Sequence, residues 1–280
     1  MNVEIAEERI LLLSDTIGAE QARTRAWAKR NEAFGAFARI GGLISRPKDE
    51  DYEVAYHELR LQPFWRIAAA TTYVYERQRP HKLKVSAEVE SVTIGSQNFP
   101  AANGVATVTV TECCREASQK DWLYDGLTKK GAPELREYLG VEFRAVTLED
   151  LNDQTLTGTV VVPPQAKSSM LMREVISRAI RKIDADRVIE ETMRIDAIDL
   201  MYRPIYAHRL KWQGKEAVVE VDAVTGATTI GGTTFEAYVG KLVDREFLFD
   251  AGIEAANMFI PGVNLAKIIV TKGMQKLAKS

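Results

Sequence analysis

The stretch Trp65-Arg-Ile-Ala-Ala-Ala-Thr-Thr-Tyr-Val-Tyr75 is aromatic and β-branched around a short run of alanines. Tryptophan, tyrosine, isoleucine, valine and threonine are the residue types that strands favour. The stretch therefore predicts a β-strand. The segments on either side of it decide which kind of fold this strand belongs to.

Strand patterns continue downstream as far as Thr111. In Leu83–Glu90, apolar residues alternate with polar or charged ones, as a strand with one buried face requires. Val105-Ala-Thr-Val-Thr-Val-Thr111 repeats this alternation. The region from His57 to Thr111 is therefore predicted to contain at least three antiparallel strands.

Upstream, the residues from Val3 to about Ile44 favour helix, because Ala, Glu, Arg and Leu dominate and no proline precedes Pro47. Gly18 is expected to divide this helical region. The second part has an apolar face, which is formed by Ala22, Ala26, Ala33, Phe37 and Ile40.

After the strands, the pattern becomes mixed between Cys113 and Pro164 and then turns helical again. Short helices are predicted near 133–138 and 148–151, and a strand near 156–162. A long helix is expected from Ser168 or Ser169 to about Ile195, because its apolar residues recur at three- and four-residue spacings.

The end of the second half is predicted to be a hairpin that follows a strand region at 199–212. Glu216–Asp222 and Ala227–Ile230 would be its two strands. Asp222 can accept turn hydrogen bonds, and Gly226 can take the positive φ that closes a short loop.

Two pairs of similar segments suggest an internal duplication. Leu61-Gln-Pro-Phe-Trp65 resembles Tyr202-Arg-Pro-Ile-Tyr206, and Val85–Phe99 matches Val221–Phe235 at six positions. Both pairs occur in the same order after a predicted helix, which favours duplication over chance. The alternative is that two unrelated hairpins share generic turn chemistry.

The predicted fold class is therefore α+β, with two related units, each a helix packed on a small antiparallel sheet, and a C-terminal helical hairpin. The expected regions are an N-terminal helical segment at 1–46 that packs on the first unit, a first β unit at 47–112, a mixed linker at 113–164, a second helix-plus-sheet unit at 165–243 and the helical hairpin at 244–280.

The composition is that of an ordinary globular protein. The 280 residues are 46% hydrophobic and 27% charged with a formal net charge of −2, which excludes a disordered chain, a collagen-like chain and a polycation. Cys113 and Cys114 are adjacent and cannot link distant segments. The acidic N-terminus lacks the pattern of a secretory signal, and Ala251–Val270 is too polar to span a membrane. The expected location is the cytoplasm.

The segment 206–230 resembles the end of PepSY-type domains, which typically close with a strand, a D-A-x-T-G turn and another strand. The matching residues are Asp222, Ala223, Thr225 and Gly226. PepSY-type domains are mostly small, non-catalytic binding or inhibitory modules outside the cytoplasm. The resemblance implies a non-enzymatic α+β module, although the chain has no signal sequence that would place it in their compartment.

No catalytic or metal-binding motif is apparent, and no cofactor is expected. The three histidines are not spaced as metal ligands, and neighbouring cysteines on a strand point to opposite faces, which disfavours a zinc site. An enzyme nevertheless stays open as an alternative, with a site between the two units around His57, Glu58, His208 and Asp222.

A second alternative is nucleic-acid binding through a basic hairpin at 73–84. Aromatic rings there could stack on bases and cations could contact phosphates. A solvated hairpin with Pro80 in its turn is the favoured interpretation, since the net charge offers no support. The residues concerned are Tyr73, Tyr75, Arg77, Arg79, Lys82 and Lys84.

The C-terminal region is the preferred place for a partner. Its second predicted helix is apolar over more than one face, so it has more apolar surface than a single neighbour would cover. The predicted partner-binding residues are Val263, Leu265, Ile268, Ile269 and Val270. The leading hypothesis is a non-catalytic binding or scaffold protein that assembles with a protein partner or with its own copies. Lysines near the C-terminus also permit peripheral contact with an anionic membrane.

Overall fold

The computed structural model describes residues 2–40, 49–243 and 267–270. Twelve strands in these ranges form one large, curled, mixed sheet. The strands are β1 Asn2–Ile5, β2 Glu8–Leu13, β3 Tyr52–Lys84, β4 Ser91–Ile94, β5 Gln97–Ala102, β6 Val105–Asp125, β7 Phe143–Val146, β8 Val160–Val161, β9 Arg187–Trp212, β10 Lys215–Asp222, β11 Thr228–Ile230 and β12 Lys267–Val270.

Four α-helices and three 3-10 helices accompany the sheet in the described part of the chain. The α-helices are α1 Ala19–Ala28, α2 Arg30–Ile40, α3 Leu148–Leu156 and α4 Ser168–Ala179, and the 3-10 helices are Asp49–Asp51, Pro133–Gly140 and Glu236–Tyr238. None of the helices in these ranges has the length and apolar character that crossing a membrane requires.

Three long strands form the centre of the sheet, in the order β9-β3-β6. β3 runs antiparallel to β9 from the pair Tyr52↔Trp212 to the pair Glu76↔Arg187. Its other edge meets β8 at Arg60 and Leu61, and then β6 from Phe64 onward. The far edge of β9 pairs with β1, β2 and β10.

Proline and glycine mark the places where a long strand changes neighbours. On this edge β3 pairs with β8 up to Leu61 and with β6 from Phe64 onward. Pro63 lies between the two ladders, so its missing N–H removes no hydrogen bond from either of them. Gly126 donates to the Pro63 carbonyl at 3.1 Å. A Cβ on Gly126 would lie 2.4 Å from that carbonyl oxygen, so only glycine fits without a shift.

One face of the sheet is covered by α4, which packs on the middle of β3, and by α3, which packs on β8. Trp65 and Ile67 of β3 and Leu200 of β9 are fully buried there against Leu171 and Met172 of α4. The Trp65 indole donates to the Ala166 carbonyl at 3.0 Å. Trp65 and Ile67 both contact this face because alternate residues of a strand share a face.

Helices α1 and α2 cover the same sheet near the start of β3, through an aromatic cluster. Phe34, Tyr52 and Trp212 lie with their ring centroids 5.7 to 6.1 Å apart. The face of the sheet opposite α4 is covered by the 3-10 helix Pro133–Gly140, whose Leu135 and Tyr138 are buried.

The last part of β3 leaves the body of the sheet. Pairing with β9 ends at Glu76, whereas pairing with β6 continues to Lys84. Residues 77–112 therefore form a two-stranded arm with β4 and β5 at its tip, and most of its side chains are exposed. The paired strands alone extend about 27 Å beyond the body at 3.4 Å per residue.

The predicted α+β fold class, with two related helix-plus-sheet units, is wrong. The structure is mostly β, and its strands form one continuous sheet. The two proline segments are not equivalent parts of separate units. They lie side by side on antiparallel strands, with Leu61 opposite Pro204 and Pro63 opposite Tyr202. Both prolines lie where a strand edge changes partners, and this common requirement accounts for their similarity.

The second pair of similar segments also differs in structure. Val85–Phe99 leads from the end of β3 into β4 and β5, whereas Val221–Phe235 leads from β10 into β11. The predicted hairpin in the second segment is confirmed. Gly226 has a φ of 73°, and Asp222 Oδ1 accepts from the backbone N–H groups of Val224 and Thr225 at 2.9 Å.

Three helix predictions fail where a strand partner is available. The N-terminal helix predicted from Val3 begins only at Ala19, because residues 2–5 and 8–13 pair in parallel with β9. The helix predicted to reach Ile195 ends at Ala179, and 187–195 belong to β9. In the predicted C-terminal helical hairpin, Lys267–Val270 is a strand parallel to β1. The remainder of 244–280 lies outside the described residues.

Candidate interaction surface

The outer edge of β6 is an unpaired sheet edge in the described part of the chain. β5 pairs with β6 only at Val105 and Ala106, and the chain returns to β6 at Leu123 to Asp125. No described strand pairs with this edge between Thr107 and Trp122. Unpaired edges of this length present a row of backbone donors and acceptors to other chains.

The direction of those backbone groups follows from the bonds at the end of the strand. The Leu123 carbonyl accepts from Ala132 N at 2.8 Å, and Asp125 N donates to Lys130 at 2.9 Å, both away from β3. Backbone groups of an antiparallel strand alternate between its two neighbours. The odd-numbered residues of β6 therefore direct their N–H and C=O groups outward.

We call residues 115–121 of β6 the edge segment. Its side chains include two cations without an ion pair to any described residue, namely Arg115 and Lys120. Lys120 Nζ lies 5.2 Å from the centroid of the Trp122 ring. The two carboxylates are both engaged: Asp121 pairs with Arg66 at 2.7 Å, and Glu116 accepts from Tyr75 at 2.6 Å and also pairs with Arg181.

A cavity of about 330 Å³ lies between the edge segment and the end of α4. Residues of both elements line it, including Ser118, Lys120, Arg178 and Arg181. The edge segment is thus bordered by a groove on the face that carries α4.

The residues that the sequence suggested for nucleic acid lie at the end of the body and in the first strand of the arm, and most of them are engaged within the chain. The Tyr73 and Tyr75 rings are buried, at 2% and 4% exposure, and are not accessible to a base. Arg77 pairs with Glu112 at 2.6 Å, and this pair holds the pKa of the Glu112 carboxyl below its ordinary value. Arg79 pairs with Asp184. Lys82 and Lys84 are exposed.

A second cavity, of about 610 Å³, lies between α1 and the start of β3. His57 and His208 lie directly opposite each other on β3 and β9, with ring centroids 6.3 Å apart. Burial, and then the nearby His57 and Arg23, lower the pKa of His208 to about 4. Its Nε2 atom is buried and has no hydrogen-bond partner among the described residues.

Of the four residues of the enzyme alternative, His57, Glu58 and His208 line that cavity, and Asp222 does not. Glu58 follows His57 on the strand, so its side chain points to the other face, where it accepts from Phe235 N at 3.0 Å and pairs with Arg60. Asp222 accepts from Tyr138 at 2.6 Å on that same opposite face. The two histidines share the lining of the cavity with Glu58, whereas Asp222 lies apart from them.

Arg60 is the centre of a closed polar cluster on this opposite face. Its guanidinium is 2% exposed and contacts Glu220 at 2.6 Å, Gln62 at 3.0 Å and Glu58 at 3.5 Å. The Phe235 ring covers it with its centroid 4.9 Å away. Every charge in the cluster has an opposite charge beside it, which is what a buried cation requires. These contacts join β3 to β10 and to the segment around Phe235.

The predicted partner-binding residues are placed only in part. Val263 and Leu265 lie outside the described residues. Ile268, Ile269 and Val270 belong to β12, with their backbones opposite residues 3 to 5 of β1. Within the described ranges, no cluster of three or more His, Cys, Asp or Glu side chains could hold a metal ion.

The sequence interpretation missed the edge segment because it assigned 113–164 to a mixed linker. The sequence did contain a signal that the strand continues. From Val105 to Asp125 the sequence contains no glycine, proline or asparagine, so no turn residue separates the predicted strand at 105–111 from the edge segment.

Comparison of the chain with protein-family models, with curated proteins and with solved structures finds no match. The resemblance of residues 206–230 to PepSY-type domains stays a prediction.

Proposed function

We propose that the chain is a non-catalytic binding or scaffold protein that acts through protein–protein assembly. One observation carries the proposal: the sheet extends into an arm at 77–112 whose strands lie mostly outside the hydrophobic core, next to an unpaired edge. Exposed edges favour aggregation, and a chain keeps a long one where another chain pairs with it. The adjacent free thiols of Cys113 and Cys114 support a reducing compartment, and we place the assembly in the cytoplasm.

The experiment compares the full chain with a variant that lacks the arm. Arg77 and Glu112 lie opposite each other, and their backbone groups point at one another. A two-residue Asn-Gly turn in place of residues 78–111 would therefore close the hairpin without changing the register. The full chain should retain a protein partner at a fixed stoichiometry in a pull-down from its native cells, and the arm-less variant should not. Equal retention by both chains, or none by either, would contradict the proposal.

A second candidate function is binding of a small organic anion between α1 and β3. The buried, unpartnered His208 Nε2 beside a cavity of about 610 Å³ favours it, together with the nearby Arg23 cation. Small carboxylates should then raise the thermal unfolding midpoint of the full chain, and Arg23→Gln should remove the effect. Lys211→Gln is a control that changes charge outside this cavity. An unchanged midpoint at millimolar carboxylate would exclude this function.

A further inference from the structure

We propose that the edge segment of β6 pairs with the same segment of a second copy, antiparallel and centred on Ser118, so that one sheet runs through a dimer. The inference goes beyond the proposed function, because the edge segment lies in the body of the sheet and outside the arm at 77–112. It uses three observations: the unpaired edge, the outward direction of the odd-numbered backbone groups, and the order of charges in the segment.

The backbone permits this register over residues 115–121, where the pairing ends because residues 130–132 occupy the edge at Leu123 and Asp125. With Ser118 opposite its own copy, Ala117 lies opposite Gln119 and Arg115 opposite Asp121. These are odd-numbered residues, whose N–H and C=O groups point outward, so each pair can exchange two hydrogen bonds. The Asp121 carbonyl, which has only a 3.4 Å contact from Arg136, is accessible to such a bond.

The charges select the same register. Centring on Ser118 places Lys120 of one copy opposite Glu116 of the other, and Arg115 opposite Asp121. The two cations without an ion pair to any described residue thus both meet a carboxylate. Opposite charges across a strand pair are stabilising, and like charges are destabilising.

Neighbouring registers lack this match. Centring on Glu116 or on Lys120 places two like charges opposite each other at the centre, and each of these registers brings only one of the two cations opposite a carboxylate. Centring on Ala117 or Gln119 brings no cation opposite a carboxylate. The charges on this edge therefore oppose pairing in the other registers, as edge charges do in other sheets. They permit one symmetric pairing, which is centred on Ser118.

The second copy is favoured over a different protein because the segment is complementary to itself. An unrelated partner would not require that the charges at positions 115, 116, 120 and 121 balance about Ser118. In the dimer, the α4 ends of both copies lie on the same face of the sheet, and the cavities of about 330 Å³ flank the central serines.

A cysteine at the centre tests the register directly. Residues opposite each other in a non-hydrogen-bonded pair have Cα atoms about 4.5 Å apart, within disulfide range. In a Cys113→Ser, Cys114→Ser background, Ser118→Cys should form a covalent dimer under mild oxidation. Thr111→Cys, which is also exposed on the same strand but far from its copy in this register, should not. No cross-link at position 118, or equal cross-linking at both positions, overturns the proposal.

Charge reversal tests the complementarity. Lys120→Glu should raise the dimer dissociation constant about tenfold or more in sedimentation equilibrium, because two attractive pairs become repulsive. Adding Glu116→Lys to that variant should restore dimerisation. Failure of the double variant to recover, with circular dichroism showing a folded chain, overturns the proposal.

The backbone contribution has its own variant. Ala117→Pro removes an outward N–H that bonds no described residue, so the monomer should stay folded while the dimer is lost. A full-length chain that is monomeric by light scattering at all accessible concentrations overturns self-pairing. If the same chain still captures another protein through its arm, the proposed function stands without this inference.

Discussion

The two halves of strand β3 are continuous in backbone but opposite in surroundings. Tyr52–Glu76 has β9 along one edge and helices or 3-10 turns over its faces, and it contributes side chains to all three hydrophobic clusters of the core. Arg77–Lys84 has only β6 beside it, and none of its side chains is buried. We call these halves the body half and the arm half. Burial of its side chains stabilises the body half. The arm half has no such burial, so its length has to be explained by something other than stability.

The largest difference in stability between the two halves should appear when an arginine is replaced. Arg60 lies in the body half between two carboxylates, and Arg60→Leu would leave both Glu58 and Glu220 without their cation. Breaking a buried pair in this way costs about 3–5 kcal/mol of unfolding free energy. Arg79→Leu in the arm half should cost far less, because its pair with Asp184 is solvent-exposed. Urea unfolding measures both, and equal losses would contradict the distinction.

Apolar truncations give the next largest contrast. Ile67 is fully buried, and Ile67→Ala should lower the unfolding free energy by about 3 kcal/mol through lost burial and a cavity. Leu83 is 37% exposed, and Leu83→Ala should change stability by about 0.5 kcal/mol. A loss at Leu83 as large as that at Ile67 would mean that the arm packs on something in solution.

The pH dependence of stability should also come from the body. His208 has a pKa of about 4 in the folded chain against an ordinary 6.5, so the unfolded chain takes up its proton first as pH falls. Stability is unaffected above pH 6.5, falls between pH 6.5 and pH 4, and is level below that for this group. The loss should be about 2–3 kcal/mol. Urea unfolding of the chain and of His208→Gln at pH 7, 5.5 and 4.5 should show a larger fall in the chain than in the variant.

The smallest effect on stability should come from removing the arm half altogether. Replacing residues 78–111 by Asn-Gly deletes few buried side chains, with Ala106 and Val108 the only fully buried apolar ones. We expect a change of about 1 kcal/mol or less in unfolding free energy, together with loss of partner binding. A variant that fails to fold would show that the arm contributes to the core.

The parts of the fold that sequence predicted correctly are those set by local pattern. The strand around Trp65–Tyr75 and the turn at Asp222–Gly226 are decided by residue types within a short window. The segments at 3–13 and 187–195 failed for a different reason. Their apolar spacing is compatible with helix, and only pairing with distant strands makes them β.

The candidate surface could be predicted even less well. The charges of the edge segment are visible in the sequence, but its accessibility depends on where β5 ends and where the chain returns at Gly131. The meeting of His57 and His208 likewise depends on the antiparallel register of two strands about 150 residues apart. No local pattern carries that information.

The continuity of β3 also has a mechanical consequence. A pull on the arm along the strand axis is transmitted through one uninterrupted backbone into the body. There β3 is paired with β9 from Glu76 to Tyr52. The hydrogen bonds between the two strands lie perpendicular to the pulling direction, so the force is shared by all of them and loads them in shear. A partner gripping the arm would therefore hold the whole sheet rather than peel one strand from it.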